Sequence, residues 1–286
     1  MKVGQNPGAT ERVEPPIEFN HLYITLAPET IESIVKSAFI SHTFSIVRQT
    51  VKADDSSWTG TYLRGKRTYL EFFAPGGAAD VREGYAGMGF STQRLGQIDQ
   101  IEETLKSRIT ENRLSRHLRC RQTEQGEVPW FHTLSIVPLE TQHFMAWLMD
   151  FHEDYLKTEN IKMTTAGHFE REAYMAACGV SGSLLNDILE VHLELSTEEH
   201  AVLDQLLGTL GFQTSCVGNT TRYCSAAFTL CVSSVSAPDY RIRQVICSMT
   251  TTASQAQAYV FGDDARLTVD STSMVWSFGP ATDFDS

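Results

Sequence analysis

The sequence predicts an α+β protein built from repeated β-α-β-β-β units, two of them within residues 18–153 and a third toward the C-terminus. Three observations carry this. A strand, a helix and three strands read from Phe19 to Phe73, a second set of similar length reads from Gly87 to His152, and the theme returns between Ile188 and Phe278. A whole unit that recurs is a stronger signal than any single element, because each copy is a separate reading of one pattern. The 286 residues, 42% hydrophobic and 20% charged, suit one large or two modest globular domains.

Order begins at Phe19-Asn20-His21-Leu22-Tyr23-Ile24-Thr25-Leu26. Period-two alternation puts Asn20, Leu22, Ile24 and Leu26 on one face and Phe19, His21, Tyr23 and Thr25 on the other. Such a strand packs helices on its aliphatic side and lines a cavity with the other. The next helix has Pro28 and Glu29 in its first turn, with Ile31, Ile34, Val35, Ala38 and Phe39 at helical spacing. Strands Phe44–Lys52, Thr59–Arg64 and Thr68–Phe73 follow, separated by turn-forming Asp54-Asp55-Ser56-Ser57 and Gly65-Lys66.

In the second unit, strand Gly87–Thr92 precedes a helix carrying Ile98, Ile101, Leu105 and Ile109, then strands Arg116–Thr123, Trp130–Val137 and Phe144–His152. The third opens with alternating Ile188–Leu195 and a capping box at Ser196 and Glu199. Its helix is marked by Val202, Leu203, Leu206, Leu207 and Leu210 and ends at Gly211. Strands Tyr223–Val232, Tyr240–Met249 and Arg266–Phe278 complete it, the last one long. The organisation is therefore an extended arm over 1–17, paired units over 18–153, a linker over 154–187 with a helix at Phe169–Cys178, and the third unit and tail over 188–286.

Composition excludes several functions. A net charge of −12, from 35 acids against 23 bases, argues against nucleic acid as a partner. The apolar run Phe144–Met149 is far short of the ~18 residues a membrane span needs. The opening MKVGQNPGATERVEPP has no apolar h-region, so no secretory signal is read and a soluble cytoplasmic protein is expected. Six cysteines without CxxC spacing read as unpaired thiols.

Two phrases, Phe19-Asn20-His21-Leu22-Tyr23-Ile24 and Thr68-Tyr69-Leu70-Glu71-Phe72-Phe73-Ala74-Pro75, occur in order within the repeat. With it, they make the chain resemble the vicinal oxygen chelate superfamily of glyoxalases, fosfomycin- and bleomycin-resistance proteins and extradiol dioxygenases. The resemblance covers 18–153 well and 188–278 loosely. It implies glyoxalase-like curved mixed sheets whose inner face holds one divalent metal, bound from the first and last strands of each unit. It makes His21 and Glu71 ligands in the first unit and Asp150 a ligand in the second. Gly87 stands where a histidine or glutamate is common, which leaves three ligands of four.

The residues themselves bear on this set. Phe144, Ala146, Leu148, Asp150 and His152 share one strand face, and Met145, Trp147, Met149 and Phe151 the other. Packing the second face on helices turns Asp150 and His152 toward the cavity. One imidazole and two carboxylates suit Fe2+, Mn2+, Co2+, Ni2+ or Zn2+, and adding His152 gives the set used in Fe(II) oxygen chemistry. The alternatives are plainer: Glu71 paired with Arg64 or Arg67, Asp150 capping a turn, His152 at a solvated strand end, His132 packed in the core. Aligning helix starts sets Glu190 opposite His21, so that register gives His192 no ligand role, and the third unit reads as structural or partner-facing.

The resulting expectation is a metal-dependent enzyme acting on a small oxygenated metabolite, with lyase, isomerase or epimerase chemistry. The metal polarises an oxygen and a carboxylate or His132 moves a proton, in a pocket shaped by Tyr23, Tyr69 and Trp130. His132 and Tyr23 are the catalytic candidates. Fe(II)-dependent oxygenation and non-catalytic binding or sequestration of a small molecule are the alternatives, and a homodimer is left open.

Overall fold

Burial and alternation act together along β1 (Ile17–Thr25), where Leu22 and Ile24 are fully buried on one side and His21 and Tyr23 face the other. The chain is described here from a computed structural model for residues 17–54, 56–77, 81–109, 113–123, 126–137, 143–179, 182–280 and 282. Apart from Ile17, the expected N-terminal arm lies outside the described residues.

After β1 come α1 (Pro28–Lys36), with its proline at the helix start, and α2 (Ala38–Thr43), capped by the Ser37 side chain. Then follow β2 (Ser45–Ala53), β3 (Ser56–Arg64) and β4 (Tyr69–Phe73). The next stretch runs β5 (Ala86–Thr92), α3 (Gln97–Lys106), β6 (Leu114–Thr123), β7 (Gly126–Ile136) and β8 (Phe144–Phe151). These eight strands close into a barrel in the order β1-β4-β3-β2-β6-β7-β8-β5. First and last strands of each set are parallel neighbours, β1 with β4 and β5 with β8, and β1 and β5 run antiparallel. Parallel pairing needs a crossover connection, which the helices supply.

Closure at the β2–β6 seam is thin. It rests on the Ala53–Arg121 pair and on Asp54, whose carboxylate accepts from the Cys120 amide at 2.9 Å and from Arg119 at 3.0 Å. Short helices α4 (Glu153–Thr158) and α5 (Arg171–Ala177) follow β8 and cover one end of the barrel with Tyr155, Tyr174 and Met175.

A second sheet has eight strands in the order β10-β11-β12-β9-β13-β16-β15-β14. Its elements are β9 (Leu185–Leu195), α6 (Thr197–Thr209), β10 (Gln213–Val217), β11 (Thr220–Cys224), β12 (Thr229–Ser234), β13 (Ile242–Met249), β14 (Gln257–Phe261), β15 (Ala265–Val269) and β16 (Ser273–Phe278). The Ser196–Glu199 capping box that opens α6 is present as the sequence predicts. The protein is thus mixed α+β, mostly strand, with one closed and one open sheet.

The C-terminal part differs from expectation in strand number. The stretch expected as one strand, Tyr223–Val232, is parts of β11 and β12, and Arg266–Phe278 is the hairpin β15–β16. The strands β10 and β14 escape sequence reading because they are short edge strands: every residue of β10 is exposed, and β14 turns only Tyr259 and Phe261 toward the core. No helix follows β13, so β13 and β16 pair antiparallel where β5 and β8 are parallel.

The outer faces of both sheets and the helices between them share one hydrophobic core, in which Leu22, Ile24 and Leu148 join Val191, Leu206 and Trp276. Phe19 stacks on Phe228 across the halves at 4.2 Å, and Phe72 lies 5.6 Å from Trp276. Among the described residues no helix is long and apolar enough to cross a membrane. Because the core is continuous, Phe228→Ala should cost the whole chain about 3–5 kcal/mol in urea unfolding, as a single transition; two separate transitions would show that the halves fold independently.

Candidate functional site

Inside the barrel lies a cavity of about 570 Å³, within the range of small-molecule sites. Its walls come from the inward positions of every barrel strand except β5, which offers only glycines there. Tyr23, Tyr69, Tyr62, Trp58, Trp130 and Trp147 give it an aromatic lining. Trp130 enters through a bulge: β7 pairs Phe131 with Arg119 and Pro129 with Cys120, and Trp130 between them has no cross-strand partner. Ser115 and the exposed His117 of β6 open one side to solvent.

His21 and Glu71 both line this cavity. A register shift between Phe19 and His21 brings Asn20 beside His21. The Asn20 Oδ1 accepts from Arg171 at 2.6 Å and lies 2.9 Å from His21 Nδ1. An amide oxygen only accepts, so His21 carries its proton on Nδ1 and offers Nε2 as an acceptor. The ring stacks on Tyr69 at 4.5 Å. Burial, helped by the Arg171 charge, holds its pKa down to about 3, so the imidazole is neutral.

Glu71 is the buried acid of this wall, with its neighbour Tyr23 on β1 in register. Burial raises its pKa to about 7, although Tyr62, Trp58 and more distant Arg64 pull the other way. Its Oε1 has no hydrogen-bond partner. Burial and the Glu71 charge in turn push the Tyr23 hydroxyl far above its usual range. Arg121 lies over Trp130 at 4.8 Å and donates to the Tyr155 hydroxyl at 2.8 Å. Arg64 donates to the Cys178 carbonyl and to Gln49. Among the described residues no carboxylate forms an ion pair with either arginine.

The expected metal set is not assembled here. On β8 the alternation is right and the faces are reversed: Met145, Trp147, Met149 and Phe151 line the cavity, while Phe144, Ala146 and Leu148 join the outer core. Asp150 therefore faces α3, where its Oδ2 accepts from the Ile98 amide at 3.0 Å. The residue before α3 is Gly96, which has no side chain to cap the helix, and Asp150 does so from the neighbouring strand. His152 sits at the N-cap of α4, its Nδ1 accepting from the Asp154 amide. His132 is the cross-strand partner of Asp150 and is absent from the cavity wall. Of the six site candidates the cavity unites His21, Glu71 and Tyr23.

His21 and Glu71 also diverge. A Cβ on Gly89 of β5 would stand 2.6 Å from His21 Cε1, and one on Gly60 of β3 would stand 2.6 Å from Glu71 Oε1. The two side chains thus lean toward different neighbouring strands. Gly87 is filled space as well: a Cβ there would lie 2.4 Å from Tyr23 and 2.9 Å from Trp147. With Asp150, His132 and His152 off the cavity wall, the expected set is left with His21 and Glu71 alone there.

Sequence reading missed the 153–178 segment as a cavity wall, although its spacing of Tyr155, Tyr174 and Met175 among polar residues was a visible signal. It also gave no ligand role to His192. Among the described residues, Glu190, His192 and Cys231 form a group whose donor atoms all lie within 4.8 Å of one another, near enough to hold a metal ion. All six cysteines are free.

Two predictions follow from the wall. Glu71 titrates near 4.5 when unfolded and near 7 when folded, so the folded state loses stability as pH rises between those values, by about 3 kcal/mol in full. Glu71→Gln should therefore stabilise the chain at pH 8 by up to that amount, with the gain falling below about 1 kcal/mol at pH 5. Urea midpoints at the two pH values test it, and a gain independent of pH refutes it. His21 acts in the opposite sense, losing stability as pH falls from 6.5 toward 3. Asp150→Ala should instead destabilise by about 1–2 kcal/mol through loss of the α3 cap, with no effect on metal content.

No curated protein matches the sequence. Among solved structures, a hypothetical protein from Staphylococcus aureus superposes with a TM-score of 0.54 at 10% identity, covering 85% of this chain and 95% of that one. At that identity the likeness is one of fold. A xylose isomerase-like TIM barrel/4-hydroxyphenylpyruvate dioxygenase fusion protein gives a TM-score of 0.39 at 10% identity, over 78% of this chain and 34% of that one. Residues 19–278 match the family of unknown function DUF5829, and the chain belongs to that family.

Proposed function

We propose that the barrel encloses one small, ring-bearing organic acid, and that the protein works as a small-molecule binder of the glyoxalase-like, vicinal oxygen chelate type. The observation that carries this is the aromatic cavity with two polar features, the orphaned Glu71 Oε1 and the Arg121 guanidinium, which makes no ion pair although Glu159 lines the same cavity. Flat rings suit walls of Trp and Tyr. A carboxylate or phenolate on the ligand suits Arg121, which already lies flat on Trp130 and keeps donors free of any ion pair. Glu71, near half protonated at neutral pH, donates to a ligand oxygen or accepts from a hydroxyl. The paired strand-helix-three-strand sets, with first and last strands parallel, support the superfamily reading.

The metal-dependent lyase, isomerase or epimerase reading, with Fe(II) oxygenation as its variant, is not favoured for the barrel, since Asp150 and His152 cap helices and only His21 and Glu71 of the expected ligands line the cavity. A second reading without metal is favoured by one feature. A carboxyl poised near pH 7 in a water-poor pocket is matched to general acid–base work, so a proton moved at Glu71 on the bound molecule is the chemistry this wall supplies.

Trp58, Trp130 and Trp147 report directly on the cavity. Titration with benzoate, phenylacetate and naphthoate should quench their fluorescence saturably, and the neutral amides should bind at least tenfold more weakly. Arg121→Gln should remove that preference, a loss of about 1.5–3 kcal/mol for one hydrogen bond to a charged group. Equal affinity for acids and amides, or no change in the variant, overturns the anionic assignment.

A further inference from the structure

We infer that Glu190, His192 and Cys231 form a metal site for a zinc-like ion on the inner face of the open sheet, separate from the barrel cavity and independent of its function. The placement follows from the strands. β9 and β12 are parallel neighbours with His192 opposite Cys231, and Glu190 lies two residues before His192 on the same face. Three donors therefore converge without any loop having to be ordered. His192 Nε2 is 2.6 Å from Glu190 Oε1, and Cys231 Sγ is 3.7 Å from the same oxygen.

The donor types select the ion. A thiolate, an imidazole and a carboxylate suit Zn2+, or Co2+ as its spectroscopic substitute, rather than Mg2+ or Ca2+, which take oxygen ligands. The ion would lie between Oε1, Nε2 and Sγ, at bond lengths of about 2.0–2.3 Å, which the present spacing admits by small side-chain rotations. Binding replaces the Cys231 thiol proton, which leaves to solvent, by the metal–sulfur bond, and the proton His192 Nε2 shares with Glu190 Oε1 moves to Nδ1 or to solvent so that both atoms can ligate. Glu190 Oε2 stays with Arg222, 3.7 Å away, which orients the carboxylate for one-oxygen ligation.

The fourth position opens on a polar hollow of about 700 Å³ floored by Glu194, Ser233, Gln244 and Ser277. Three protein ligands with an open fourth position are the pattern of catalytic rather than structural zinc. Water or an oxygen-bearing small molecule is the occupant this lining fits. The hollow persists because the sheet does not close: β10 and β14 are its two edges.

The test uses the full-length chain, stripped by chelator and dialysed. Titration with Co2+ should give one ion per chain and a thiolate-to-cobalt charge-transfer band in the near ultraviolet, both displaced by Zn2+. Cys231→Ser should abolish the band, and His192→Asn and Glu190→Gln should each weaken binding at least tenfold. His192 and Glu190 are only partly buried, so these two variants keep the test valid even where Cys231→Ser folds poorly. Glu71→Gln should leave stoichiometry and band unchanged. A band that survives in Cys231→Ser, no band in the wild type, or loss of binding in Glu71→Gln overturns the assignment.

Discussion

The absence of side chains at Gly87 and Gly89 is the constraint on which the barrel depends, because the rings of Tyr23, His21 and Trp147 already occupy the space a Cβ would need. Trp147 lies across both glycines from β8, the parallel neighbour of β5. Its ring can enter the barrel only if β8 turns its odd-numbered residues inward, and the pleat then carries Met145, Met149 and Phe151 in with it. The even-numbered residues must face out. Asp150 is thereby committed to the helix side, where the bare N-terminus of α3 gives its carboxylate a donor. One local allowance for rings thus settles the face of a strand, the cap of a helix and the character of the cavity.

That character has an electrostatic consequence. A wall of rings offers few hydrogen bonds, so His21 and Glu71, buried in it, shift toward their neutral forms. His21 gives up its proton and Glu71 keeps one up to about pH 7. The positive charge nearest His21, Arg171, is kept behind the wall, satisfied by Asn20, the Arg67 carbonyl and the face of Tyr174. Near pH 6 this wall, His21 with Glu71, is close to neutral, and the cavity's positive charge lies elsewhere, with Arg64 and Arg121. Stability is given up for this arrangement, which is a common property of sites kept for binding or catalysis.

Much of the fold is legible in the sequence because its signals are local. Alternation in 19–26, the helix start at Pro28 and the Ser196–Glu199 box each name an element from neighbouring residues alone. What is not legible depends on a partner elsewhere in the chain. On β8 both faces are apolar, so period two gives the alternation and cannot say which face is inward. For Asp150, the deciding fact is that α3 begins after a glycine 54 positions earlier. Alternation in 19–26 puts His21 on the cavity side, and the roles of His21 and Glu71 come from the two phrases that resemble a known superfamily, not from periodicity alone. The edge strand β10 buries nothing, and β14 buries only its Tyr259–Phe261 end, too short a run to show alternation.

The two sheets share one strand order and reach opposite chemistry through closure alone. In both, the first strand of a set lies beside its last and beside the first strand of the next set, so equivalent positions face equivalent space. In the barrel that space is narrowed by β2, β6 and the α4–α5 cover and lined mostly by rings, with Arg64 and Arg121 among them. In the second sheet the helix that would follow β13 is missing and β16 returns antiparallel, leaving two edges and a face open to solvent. Solvent screens the charges there, and Glu190, Arg222 and Glu194 sit on that face together. A position that carries His21 or Glu71 among rings can therefore carry Glu190 or Cys231 within reach of an ion. The outer faces of both sheets lock into one core through Phe19 and Phe228. An organic ligand in the closed sheet and an ion on the open one, as proposed above, would therefore occupy separate faces, and neither would constrain the other.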